Sequence, residues 1–153
     1  MALSAKIKWQ APMAFKANVR GHEFFTDAKK ESGGSNLGPN PKELLLTAIC
    51  GCTGMDVISL LKKFKEPFWN CEVTADADLT VGQPSVFKEI HLKFIIDGDE
   101  NMKQESVKKA VDLSMTRYCG VSAMVFRVSP IKYEIIMNSQ KIGEGYADFQ
   151  IEK

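Results

Sequence analysis

Four cysteines are the side chains of this sequence best able to do covalent chemistry: Cys50 and Cys52 close together, Cys71 further on, and Cys119 far along the chain. A thiol attacks only as thiolate, which nearby cations and helix N-termini favour and apolar burial opposes. Cys119 follows Arg117 by two residues and precedes Val121 to Val125, a stretch able to start a short helix. Both features favour charge on its sulfur. The competing reading is a small residue at a helix junction. Cys52 lies inside an apolar segment, where cysteine commonly serves as a small hydrophobe, so taken alone it reads as structural. Cys50 falls about 200° around a helix from Cys52, so the two cannot share one site. Cys71 begins a strand with nothing to activate it. Cys50 and Cys71 are read as core residues.

Asp56 lies one helical turn after Cys52 on the same face, an acid within an apolar stretch. If buried it needs a cation or a hydrogen-bond donor, and Arg20 and Arg117 are the expected partners. No C-x-x-C pair occurs, and His22 and His91 are remote in sequence from the cysteines. Neither a metal nor any other cofactor is therefore expected.

The elements that must position these residues follow from pattern. Alternating apolar and polar residues over 5 to 27, as in Ile7, Trp9, Phe15, Ala17 and Val19, predict two or three short antiparallel strands. Residues 28 to 40 concentrate Gly, Ser, Asn and Pro and read as a loop. Asn40-Pro41 then opens a helix expected to run to about Lys65. Its apolar residues appear on nearly every side, the pattern of a helix covered all round, which needs coverage from sheets and from a partner. Gly51 and Gly54 within it predict a close backbone approach beside Cys52. Residues 67 to 81 and 86 to 97 alternate at period two around Gly82-Gln83-Pro84-Ser85 and predict a hairpin. An amphipathic helix over about 101 to 117 and a final strand after Pro130 complete the order, which is α+β with antiparallel sheet.

At 153 residues and 44% apolar content the chain has the size and composition of one domain, taken as 1–153. Twenty basic and 19 acidic side chains nearly cancel, leaving no charge excess to drive binding to nucleic acid or to an anionic membrane. Lys6 and Lys8 interrupt the opening stretch, so no secretory signal is read and the expected location is cytoplasmic. In that reducing compartment a permanent disulfide framework is not expected. The longest uncharged run, Leu44 to Met55, is shorter than the roughly 18 residues of a membrane span and reads as a core helix.

Taken together, G-P-N-P-K-E-L-L-L-T-A-I-C-G-C-T-G-M-D-V at 38 to 57 and Y-C-G-V-S-A at 118 to 123 resemble the OsmC/Ohr family of osmotically inducible and organic hydroperoxide resistance proteins. The resemblance implies an intertwined homodimer in which antiparallel sheets from both chains wrap two central helices. It implies that Cys52 is the peroxide-reacting cysteine and Cys119 the resolving one, in a peroxidase that takes organic hydroperoxides or hydrogen peroxide and is restored by a dithiol reductant. It also implies an arginine holding the thiolate, for which Arg20 is the candidate, and a carboxylate directly after N-P. That position is Lys42 here, with Glu43 next to it, and Gly120 stands where a proline usually follows the second cysteine. Lys42 lies ten residues before Cys52, about 15 Å along a straight helix, so the family carboxylate would serve a cysteine of the partner chain more easily than its own. Arg20 and Glu43 are accordingly the expected substrate-binding residues. The alternative function is a non-catalytic dimeric module binding a small lipophilic or oxidised molecule in its interface pocket.

Overall fold

The period-two alternation of the first segment resolves into three strands, β1 (Lys6–Trp9), β2 (Phe15–Val19) and β3 (His22–Thr26). They pair antiparallel in the order β1-β2-β3, with Ile7 opposite Ala17 and Ala17 opposite Phe24. Arg20 and Gly21 turn β2 into β3 with φ of 53° and 85°, the positive pair that a two-residue hairpin turn demands. The computed structural model describes residues 2–151. It forms two compact units, Met1–Leu45 and Leu46–Lys153.

The glycine-rich stretch after β3 is organised by a buried acid. Asp27 accepts backbone N–H groups from Ala28 at 2.7 Å, Ser35 at 3.0 Å and Leu37 at 3.1 Å. Gly34 is required there, because a Cβ would meet the Ala28 carbonyl oxygen at 2.0 Å. Helix α1 (Pro41–Lys63) then starts on a capping box. Asn40 Oδ1 accepts the N–H groups of Lys42 and Glu43, both at 3.0 Å, and Glu43 Oε2 accepts the Asn40 N–H at 2.8 Å. Lys62 and Lys63 close the helix where cations complement its dipole.

Within the second unit α1 buries one stripe, Ile49, Thr53, Val57, Leu60 and Leu61. Ala48, Gly51, Met55 and Ser59 lie exposed, Met55 at 74%. The expected all-round cover is therefore absent within one chain. Among the described residues a Cβ at Gly51 would meet nothing within 4 Å, and one at Gly54 would meet only Val73 at an ordinary 3.5 Å; the close approach read from these glycines is not made by the described residues of one chain. By length and hydropathy α1 could cross a membrane, but its Ile49, Val57, Leu60 and Leu61 belong to the core of this unit.

That core is built on a four-stranded sheet, β4 (Phe68–Leu79), β5 (Phe87–Gly98), β6 (Ile131–Met137) and β7 (Gln140–Tyr146), in sequence order across the sheet. The β4–β5 hairpin and the β6–β7 pair are antiparallel, whereas β5 and β6 are parallel, with Phe94 opposite Ile135. The sheet is thus mixed, which corrects the purely antiparallel expectation while leaving the α+β class intact. The reason lies in the crossover: α2 (Gln104–Leu113), a π-helical turn (Ser114–Tyr118) and α3 (Gly120–Val125) carry the chain back so that β6 runs with β5. Val107, Ala110 and Val111 of α2 join Ile90, Leu92, Phe94 and Ile96 of β5 in the core. Tyr133 of β6 packs edge-on against Phe94 at 6.3 Å and donates its hydroxyl to Asp112 of α2 at 2.7 Å.

Candidate functional site

Two segments far apart in sequence bring the reactive side chains together. On α1, Cys52 and Asp56 share a face because they are one turn apart. After α2 the chain widens into the π-turn, a form common at functional sites, and the turn delivers Ser114 and Cys119. The Cys52 Sγ, the Cys119 Sγ and an Asp56 carboxylate oxygen lie within 4.8 Å of one another. All four cysteines are free thiols. Cys119 is fully buried, while Cys52 and Asp56 are half-buried, so the cluster opens on the Cys52 side.

Hydrogen bonds fix Cys119 more than Cys52. Its backbone N–H donates to Ser114 O at 3.0 Å, and it caps α3, its Sγ accepting the Ser122 N–H at 3.3 Å while its thiol donates to Ser122 Oγ at 3.1 Å. The spacing is that of a capping box, cysteine at the cap and serine three residues on. Local sequence features favoured the charged sulfur here, but burial prevails. Desolvation pushes the Cys119 thiol up to about 11, the two Ser122 contacts pull it partly back, and the neighbouring Cys52 adds to the rise. Arg117 lies instead over the Tyr118 ring, 5.6 Å from its centroid.

Because the folded value lies above the unfolded 9.0, Cys119 contributes stability that is fully present below pH 9 and is lost as pH rises through about 11. Denaturation midpoints measured from pH 8 upward are expected to fall more steeply for the native chain than for Cys119→Ala. Parallel losses in the two proteins would contradict the assignment.

Asp56 is held by a hydroxyl rather than by either expected arginine: the Ser114 hydroxyl donates to its Oδ2 at 3.0 Å. Burial raises this carboxyl and the Ser114 bond lowers it, with burial the stronger. Cys50 and Cys71 pack against the core, where burial raises both thiols. Arg20 and Glu43 both lie in the first unit, Arg20 exposed at the β2–β3 turn and Glu43 engaged in the α1 cap. Ser114 and Ser122 were missed as site residues in the sequence. Ser122 could have been found from its cap spacing after Cys119; in the sequence Ser114 reads only as one more residue on the apolar face of the helix predicted over about 101 to 117.

Comparison with known proteins shows the family and the fold. A family model described as OsmC-like protein matches residues 33–134. The chain is 31% identical over 137 residues to the protein YhfA of Escherichia coli K12, covering 88% of this chain and 98% of YhfA. Its fold is similar to the crystal structure of a hypothetical protein from Aquifex aeolicus VF5, with a TM-score of 0.78, 25% identity, and 90% and 98% of the two chains covered. A fold likeness also extends to an organic hydroperoxide resistance protein from Elizabethkingia anophelis, with a TM-score of 0.65, 18% identity, and coverage of 90% and 95%.

Proposed function

The chain belongs to the OsmC-like protein family, and from that premise we propose that it is a thiol-dependent peroxidase in which Cys52 attacks and Cys119 resolves. The observation that carries this reading is the pairing of a half-open and a fully buried thiol within 4.8 Å across two remote segments. The hydroperoxide resistance of the Elizabethkingia protein, as its description names it, points the same way.

The Cys52 thiolate attacks the terminal peroxide oxygen; the O–O bond breaks, the sulfur is oxidised to sulfenic acid, and the alkoxide leaves with a proton as an alcohol, or as water when hydrogen peroxide is the substrate. The Cys119 sulfur then displaces hydroxide from the sulfenic acid, which leaves as water, and a disulfide forms. A small dithiol donates two electrons and two protons by thiol–disulfide exchange and restores both thiols. Arg20 and Glu43 are assigned to the substrate in this reading.

The enzyme is cytoplasmic and a homodimer, in which the exposed stripe of α1, with Ala48, Gly51 and Met55, is covered by a second copy. A buried unpaired charge is costly, so Met55→Asp is expected to convert the dimer to monomer. Mass measurement in solution checks this; a wild type that is already monomeric, or an unaltered dimer in the variant, would contradict it. The function itself is tested by following cumene hydroperoxide in the presence of dithiothreitol. Many turnovers per chain are expected, and consumption no faster than without protein would overturn the proposal.

A further inference from the structure

The peroxidase reading uses two members of the cluster and leaves the third unexplained. A carboxylate gives no charge stabilisation to a neighbouring thiolate; the ionised forms of Cys52, Cys119 and Asp56 are all anions. Among the described residues Asp56 has no ion-pair partner, its one hydrogen-bond partner being the neutral Ser114 hydroxyl. Gathered within 4.8 Å of one another and partly withdrawn from water, two sulfurs and a carboxylate oxygen make a donor set that a cation between them would join by displacing the thiol protons.

We propose that Cys52, Cys119 and Asp56 form a three-ligand site for a thiophilic divalent cation of the zinc class. Two sulfurs and one oxygen are the donor set of an open tetrahedral zinc site, with the fourth position left to water. Magnesium and calcium, which demand six or more oxygens, do not fit this set. Zinc bonds of about 2.3 Å to sulfur and about 2.0 Å to oxygen place these tetrahedral ligands roughly 3.5 to 3.8 Å apart. The observed atoms lie within 4.8 Å, so small side-chain rotations close the site. Outer partners are already in place: Ser114 orients the carboxylate, and the Ser122 N–H points at the Cys119 sulfur. No histidine or C-x-x-C spacing announces such a site, because the ligands come from one turn of α1 and from the junction after the π-turn.

Binding converts two thiols to metal thiolates and releases two protons, with no change in oxidation state. The site does not depend on the peroxidase reading, but the two share both sulfurs. A loaded metal therefore blocks peroxide attack, and a disulfide excludes the metal.

The test uses the full-length reduced protein with cobalt(II) as a spectroscopic probe and zinc as competitor. One equivalent of cobalt per chain is expected to give thiolate charge-transfer absorption with the intense visible bands of tetrahedral cobalt, both erased by zinc. Cys50→Ser and Cys71→Ser should leave these bands unchanged. Asp56→Asn should weaken binding by at least the roughly tenfold that loss of even an outer-shell partner costs. In the wild type, zinc should protect the half-open Cys52, and neither Cys50 nor Cys71, from alkylation mapped by mass spectrometry. Absence of the bands, or zinc protection that falls on Cys50 or Cys71, overturns the site. Peroxide turnover without metal binding would sink the metal proposal alone; metal binding with no turnover by the metal-free reduced protein would sink the peroxidase alone.

Discussion

Cys52→Ser is expected to lower peroxide turnover by on the order of a thousandfold or more, because a serine hydroxyl at neutral pH cannot replace the attacking thiolate. Cys119→Ser is expected to behave differently. With the attacking sulfur intact, the first oxidation still occurs, so the variant should consume about one equivalent of peroxide per chain and then stall as a sulfenic acid when reductant is scarce. Stopped-flow consumption of peroxide separates the two, and a sulfenic-acid trap such as dimedone should label Cys52 in the Cys119 variant. The asymmetry follows from burial: Cys52 is half-open while Cys119 is fully enclosed. Equal behaviour of the two variants, or labelling at any other cysteine, would contradict the assigned roles.

The second large effect concerns stability. Phe94 is fully buried on β5, between β4 and β6, and packs edge-on against Tyr133. Phe94→Ala is expected to cost about 3 to 5 kcal/mol through lost apolar burial and the cavity left behind. That is a large share of the roughly 5 to 15 kcal/mol by which domains are stable. At about 2 to 4 °C per kcal/mol for a chain of this size, the thermal midpoint should fall by on the order of 10 °C. A fall of only a degree or two would mean that β5 does not sit at the centre of the core.

Local chemistry made several elements legible in advance. Asn40-Pro41 announced the start of α1, and the capping box formed with Glu43 shows why. The turn residues around Gly82 placed the β4–β5 hairpin, and Cys119 was read near the start of a short helix that it does cap. Features decided by tertiary context were not legible. The parallel β5–β6 pairing depends on the path of the crossover, which no strand pattern records. Strand β7 was missed because Gly143, Gly145 and its charged residues lack the β-branched alternation of a strand.

The site was legible in the same uneven way. Cys119 carried local features favouring a thiolate, but enclosure in the core reverses their effect. Asp56 was correctly flagged as needing a partner, yet charge logic pointed to arginine where the π-turn supplies Ser114. The apolar circumference of α1 predicts cover from sheets and from a partner, and one chain covers only one stripe of it.

The most direct measurement is disulfide mapping of the reduced wild-type protein after one equivalent of organic hydroperoxide. Loss of two of the four thiols, with a single bridge joining the Cys52 and Cys119 peptides and Cys50 and Cys71 still free, is the predicted result. Four persistent thiols, or a bridge involving Cys50 or Cys71, would contradict the claim that Cys52 and Cys119 work as a pair.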